Sequence, residues 1–260
     1  MSSHAIGIHD LSFSYPGAAN ATLAISDLHV ETGERVGLIG TSGAGKSTLL
    51  RILDGQLRGW RGTARILGTP LDTVAPPPRS LRCDIGFVFQ EFALVEQSTV
   101  RQNVLNGRLG RTDVIASLFG RFSQHDERAT WQAMHDVGIA DLAQRRVEQL
   151  SGGQRQRVAI ARCLAQQPTL ILADEPVSNL DPVTARSIIA LLASCARRRG
   201  VTLLISSHQP RLIGEHIDRV VALDGGKIVF DGPPEALDDD RLMEIYGNAT
   251  SADTKLELVA

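Results

Sequence analysis

Eight residues, Gly40-Thr41-Ser42-Gly43-Ala44-Gly45-Lys46-Ser47, restrict the folding of this chain more than any other stretch. They fit the pattern GxxxxGK[ST]. They follow the apolar run Arg35-Val36-Gly37-Leu38-Ile39, which reads as a buried strand, and they open Lys46 to Leu53, whose apolar spacing predicts a helix closed by Gly55. A strand, a glycine turn and a helix in that order build a phosphate cradle. Successive backbone N–H groups and the positive helix end meet β- and γ-phosphates, Lys46 adds a point charge, and the Ser47 hydroxyl can ligate Mg²⁺. Thr48, next in the helix, completes this candidate set.

Downstream, the chain alternates between predicted helices and strands: a helix from Gly152 to Gln166, a strand at Leu170 to Ala173, a helix from Pro182 to Arg199 and a strand at Val201 to Ser206. Asp181 as N-cap, Pro182 in the first turn and Gly200 just past the end mark one helix sharply. Such alternation predicts a mostly parallel α/β sheet. Ile6 to Phe13 reads as an exposed strand, Ile85 to Phe89 as a short apolar one, and Pro70 to Ser80, with Pro76-Pro77-Pro78, as a surface connection. Val220 to Leu223 and Lys227 to Phe230 flank Asp224-Gly225-Gly226 as a hairpin. Residues 91 to 150 turn polar and helical, with glycines at 107, 110, 120 and 138, and read as a separate helical subdomain. The tail from Asn248 is expected to fray.

Two further segments carry chemistry. Leu170-Ile171-Leu172-Ala173-Asp174-Glu175 is an apolar strand ending in two acids, where a parallel sheet exposes strand ends to ligand. Taken alone, such a pair is as readily an exposed turn. Beside a phosphate cradle, Asp174 is placed to hold Mg²⁺, and Glu175 to act as the general base that orients the attacking water. Leu150-Ser151-Gly152-Gly153-Gln154 opens a helix with apolar Val158, Ala161 and Leu164, which gives an anion-binding helix N-terminus as well as an ordinary cap.

That pentapeptide resembles the signature motif of ATP-binding cassette (ABC) ATPases, and other motifs follow in the order of that family. The resemblance covers residues 4 to 247. It implies an α/β fold: a P-loop, RecA-like core with an N-terminal antiparallel β subdomain and an inserted helical subdomain. The expected division is 1–90 and 160–235 for the core, 91–159 for the helical part with the signature, and 248–260 for a tail. It implies that Tyr15 stacks on adenine and that Gln90 touches Mg²⁺ or the attacking water. It further implies that Asp181, in Ser178-Asn179-Leu180-Asp181, crosses to a partner subunit, and that His208 contacts the γ-phosphate. ATP and Mg²⁺ are the implied cofactors. A lone histidine after a strand, or a lone aromatic, would more often be structural, so His208 and Tyr15 rest on the resemblance.

With one P-loop and one signature per chain, the resemblance implies a head-to-tail homodimer with two composite sites: Lys46, Glu175 and His208 from one chain, Ser151 to Gln154 from its mate. Such a dimer drives import through two separate permease subunits, served by a solute-binding protein. Gly107-Arg108-Leu109-Gly110-Arg111, Ser117-Leu118-Phe119-Gly120-Arg121-Phe122 and Ile245-Tyr246-Gly247 are similar to the phosphonate-importer ATPases of the family. Thr41, where those usually have proline, Arg155, where glutamine usually follows the signature, and Val177-Ser178-Asn179 depart from the pattern. Phosphite importers have very similar ATPases; phosphate or amino-acid importers and exporters are more distant readings.

Composition sets the outer bounds. With 260 residues, 43% apolar and 22% charged, the chain is globular, and one large domain suffices. Lys+Arg 27 against Asp+Glu 29 leaves a net charge of -2, so no global basic field exists to hold nucleic acid. DNA-repair ATPases of this class insert long coiled coils between the Gln90 and Ser151 positions; here about sixty residues intervene, without heptads. Cys83, Cys163 and Cys195 are far apart and odd in number, which fits a reducing compartment. Nothing approaches the roughly 18 apolar residues of a spanning helix, so the chain is expected not to cross a membrane by itself, and the resemblance to importers implies a peripheral subunit at the cytoplasmic face. Arg197-Arg198-Arg199 reads as cations against a helix C-terminus rather than as a lipid patch, and Asp238-Asp239-Asp240 as a solvated loop or helix start.

Overall fold

A computed structural model of the protein describes residues 4–17, 21–113 and 120–246. The early elements are β1 (His4–Phe13), β2 (Leu23–Glu31), β3 (Arg35–Ile39), α1 (Lys46–Leu53), β4 (Arg61–Ile66), β5 (Thr69–Pro70), α2 (Arg79–Asp84) and β6 (Ile85–Val88). There follow α3 (Val100–Leu105), α4 (Gln124–Asp136), α5 (Gly152–Ala165), β7 (Leu170–Ala173) and α6 (Pro182–Arg199). The last are β8 (Thr202–Ser207), α7 (Pro210–Gly214), β9 (Arg219–Asp224), β10 (Lys227–Gly232) and α8 (Asp239–Tyr246). Two compact units divide the chain: one runs through Pro77 and resumes at Thr202, and the other covers Pro78–Val201.

The first unit holds an antiparallel sheet in the order β2-β1-β4-β5 and the strand run β10-β9-β3-β8. β1 is not the exposed strand that its Gly7, His9, Asp10 and Ser12 suggest. It lies between β2 and β4, with Ile8 opposite both Leu28 and Ala64, and Ile6, Ile8, Leu11 and Phe13 are buried. The alternation changes phase at Asp10, which has φ +49° where the register with β4 shifts between His9 and Ser12, so that Ile6 and Ile8 before it and Leu11 and Phe13 after it are all buried. The Pro70 to Ser80 stretch also differs from a plain surface connection. Thr69–Pro70 pairs with β4, Pro77 is buried, and α2 begins at Arg79. β3 is buried along its whole length because parallel strands flank it on both sides, with Ile39 opposite Ser207 on β8 and Ala222 on β9. Its base is anchored by Arg35, whose Nε donates to Asp218 Oδ2 at 2.9 Å.

In the second unit, β6 and β7 form a parallel pair with Val88 opposite Ala173, and α5 packs against α3, α4 and α6. Three helices start with reciprocal capping boxes: Thr99 with Gln102, Ser123 with Asp126, and Ser151 with Gln154. α6 has the Asp181 cap, the Pro182 first turn and the left-handed Gly200 end that its sequence predicts. The three cysteines are buried and free, and burial pushes the Cys163 thiol up to about 12. Among the described residues no helix is long and apolar enough to cross a membrane. Ser117 to Phe119 and the tail from 248 lie outside the described residues.

Candidate functional site

The first unit assembles the phosphate cradle at the C-terminal end of β3. Gly40 turns the chain with φ +145°, and a Cβ there would stand 2.2 Å from the Leu223 carbonyl oxygen, so the loop can hug β9 only with glycine. Gly45 has φ +104°, and its missing Cβ would meet Leu23 Cδ2 at 2.6 Å. α1 starts at Lys46 with no side-chain cap and no acid in its first turn, unlike the boxed helices of the second unit. Its first N–H groups point the positive helix end at the loop, an arrangement that suits an anion. Lys46 is 4% exposed, and its ammonium is drawn into the loop by the carbonyls of Gly40 (2.7 Å) and Thr41 (3.1 Å). Ser42 and Gly43 are exposed at the lip, Thr41 and Ser47 are half-buried, and Ala44 and Thr48 are buried.

Tyr15 lies beside this cradle. Its hydroxyl is 3.4 Å from Thr48 Oγ1, its ring meets Phe13 edge-on at 4.9 Å, and it stays 39% exposed, which leaves ring surface for stacking. β8 runs parallel to β3 in register, so His208, one residue past the paired end, follows Ser207 at the level where Gly40 follows Ile39. Tyr246 belongs to the cradle too: the Gly40 N–H donates to its hydroxyl at 3.0 Å. That role was not readable from spacing, since 206 residues separate the two.

The second unit gathers the other candidates at the ends of β6 and β7. The Asp174 N–H donates to the Val88 carbonyl at 2.9 Å, so Gln90 leaves one strand where Asp174 and Glu175 leave its parallel neighbour. Asp174 is buried, Glu175 half-buried and Gln90 exposed. Glu175 has φ +41°, a left-handed backbone that costs a residue with a side chain of order 1–3 kcal/mol and persists where the surroundings enforce it. At the start of α5, Ser151 Oγ accepts from the Gln154 N–H (3.3 Å) and Gln154 Oε1 accepts from the Ser151 N–H (3.0 Å). The box occupies the third amide, while Gly152 and Gly153 stand at the two positions for which a helix supplies no acceptor. A Cβ on Gly153 would crowd Thr184 Cγ2 at 2.7 Å. Asp181 caps α6 through the Thr184 N–H at 3.0 Å, and hydrogen bonds from Thr184 hold its carboxyl below the ordinary value.

The Ser47 hydroxyl in the first unit, and the Asp174 carboxylate and Gln90 amide oxygen in the second, are each hard oxygen groups of the kind that Mg²⁺ prefers. Among the described residues no group of three His, Cys, Asp or Glu is placed to hold a metal.

A family model described as ABC transporter matches residues 23–178. The chain belongs to the ABC transporter family. It is an ATP-hydrolysing cassette of that family, with the P-loop core expected from its sequence. The phosphonates import ATP-binding protein PhnC 1 of Nostoc sp. is 44% identical to this cassette over 250 residues, 94% of this chain and 93% of the relative. That of Thiobacillus denitrificans is 41% identical over 255 residues, 98% and 97% of the two chains. Among solved structures, cbiO1 of Clostridium perfringens, part of the ABC transporter complex cbiONQ, matches with TM-score 0.81 at 25% identity over 98% of this chain and 99% of that one. A dimeric ATP-binding cassette in a post-hydrolysis state, bound to ADP and Pi, matches with TM-score 0.72 at 29% identity, covering 88% and 98%.

Proposed function

We propose that this cassette energises import of phosphonates, or of a closely related phosphorus oxyanion, as the ATP-hydrolysing subunit of a transporter at the cytoplasmic face of the membrane. The observation that carries the substrate class is near full-length similarity to two relatives that are both named for phosphonate import. In this reading the chain works as a head-to-tail homodimer on two permease subunits, which receive solute from a binding protein. Residues 91–159 act as the helical subdomain on a core of 1–90 and 160–235.

The phosphates of ATP are held by the loop Gly40 to Thr48, through the N–H groups that follow Gly40 and through Lys46, whose ammonium exchanges loop carbonyls for phosphate oxygens. Tyr15 stacks on the base. Ser47, Asp174 and Gln90 hold Mg²⁺, which when bound neutralises charge on the β- and γ-phosphates. Glu175 accepts the proton of the attacking water, and His208 orients the γ-phosphate from the neighbouring strand end. From the partner chain, Ser151 donates its hydroxyl proton while still accepting from Gln154, and the Gly152 and Gly153 N–H groups face the same charge. Asp181 fixes the start of α6 at the crossing between chains. Because the signature contacts exist only with triphosphate present, ATP favours the closed dimer and hydrolysis releases it.

Glu175→Gln tests the assignment. Turnover should fall by roughly 10²–10⁴ fold while ATP binding persists, so that light scattering finds an ATP-dependent dimer. Unchanged turnover would remove Glu175 from the role of base, and failure to dimerise with ATP would remove the composite site.

A further inference from the structure

The segment that follows Gln90 is held by side chains from α5 and α3. Arg155 and Arg162 are seven residues apart on α5, about two turns, and so share one helix face. Arg162 donates to the carbonyls of Phe92 (3.0 Å) and Ala93. Arg155 Nη1 pairs with Glu96 Oε1 at 3.2 Å, while its Nε and Nη2 hold the carbonyls of Leu150 (3.2 Å) and Glu148 (3.1 Å) just before the signature helix. Between these two grips, buried Asn103 clamps Val95. Its Oδ1 accepts the Val95 N–H at 2.8 Å, and its Nδ2 donates to the Val95 carbonyl at 2.9 Å. Residues 92, 93, 95 and 96 are thus each fastened, and Ala93 is kept in a left-handed backbone at φ +49°.

The choice of arginine at 162 is costly for a purely structural contact. Its guanidinium is largely buried against carbonyls, and burial pulls it below its ordinary value, although it keeps its charge. A Cβ on Gly107 would lie 2.1 Å from the Arg162 carbonyl oxygen, so the chain after α3 closes over this turn of α5 with no slack. What the clamped segment turns outward is the Val95 side chain, 51% exposed.

We propose that Arg155 and Arg162 are positioning residues that staple segment 92–96 to the signature helix at two points, so that the stretch after Gln90 and the signature move as one body. The inference rests on the transport reading above. A displacement of the segment by a membrane partner would then reposition Ser151 to Gln154 directly, without unfolding of either element.

Hydrogen exchange on the full-length chain tests the staple. Arg162→Met keeps the stem and loses the donors; it should speed exchange at Val95 and at Glu148, whose N–H bonds the Glu96 carbonyl, by about tenfold, with Val158 to Ile160 unchanged. Glu96→Gln, at an exposed site that cannot threaten the fold, should give about twofold to threefold at the same amides. In cells, methylphosphonate uptake should fall about tenfold with Arg162→Met, while ATP hydrolysis by the purified chain stays within about twofold. Exchange at Val95 unchanged in both variants, or uptake and hydrolysis falling in step, would overturn the staple. A wild-type chain that hydrolyses ATP yet supports no methylphosphonate uptake would count against the phosphonate reading instead, and the exchange result would still decide the staple.

Discussion

Asp126→Ala should destabilise the helical unit far more than any other carboxylate change in it. Asp126 is 5% exposed, and one of its oxygens lies 2.8 Å from Nε of Arg108, which is 3% exposed. Its other oxygen accepts from the Ser123 N–H (3.0 Å) and the Ser123 hydroxyl (2.7 Å), closing the cap of α4. At about 4 Å between charge centres and an effective dielectric near 20, the attraction is roughly 4 kcal/mol, and desolvation of both ions offsets much of it. Removing one partner forfeits the attraction but leaves the guanidinium buried, with the Ala165 carbonyl (2.9 Å) and Gln167 Oε1 (3.1 Å) as its remaining acceptors among the described residues. The expected loss is about 3–5 kcal/mol, with the lost cap inside that range. Urea unfolding read from Trp131, which sits on α4, reports this unit once Trp60 of the other unit is changed to phenylalanine. Arg108→Met in the Asp126→Ala background should recover much of the loss, because no uncompensated charge then remains. A loss below about 1 kcal/mol, or no recovery in the double variant, would refute the buried-pair argument. The pH dependence has a definite sign. Burial alone would raise the Asp126 carboxyl, but hydrogen bonds from Ser123 and Arg108 and the Arg108 charge outweigh it and hold the carboxyl below its ordinary 3.8. The stabilisation is therefore complete above that ordinary value and lost as pH falls through the lowered one, and Asp126→Ala should flatten the acid limb of the stability profile.

Two further outcomes follow from buried polar groups. Gln156 is fully buried, and among the described residues neither its side-chain amide nitrogen nor its oxygen has a hydrogen-bond partner, so Gln156→Leu should raise stability by about 1 kcal/mol in the same urea assay; a loss instead would mean that an ordered water satisfies the amide. Tyr246→Phe removes the acceptor of the Gly40 N–H and should weaken ATP binding by about three- to tenfold, measured by calorimetry, with the fold intact; unchanged affinity would separate α8 from the cradle.

What the sequence disclosed depended on how local the physics is. The cradle, the Gly152–Ala165 helix and the Pro182–Arg199 helix were legible because glycine turns, caps and apolar spacing act within a few residues. β2 and β4 were not, since pairing with β1 decides them, and the same pairing buries the face of β1 that its polar residues hid. The short α7 carries too few residues for a period to show. The Gly107 to Arg111 stretch was readable only as a resemblance. In the structure Arg108 and Arg111 brace the C-terminal carbonyls of α5 and the residues just after it, at Ala165, Gln166 and Gln167. Arg155 stood out in the sequence only as a departure from the family pattern and Arg162 not at all, because the Glu96 carboxylate and the Phe92 and Ala93 carbonyls that they hold lie about sixty to seventy residues away.

The most direct test of the central claim is growth on methylphosphonate as sole phosphorus source, in cells lacking this chain and supplied with either the wild type or Glu175→Gln. The account predicts growth with the wild type alone, and no growth with a variant that still binds ATP. Growth without the chain, or equal rescue by Glu175→Gln, would contradict it.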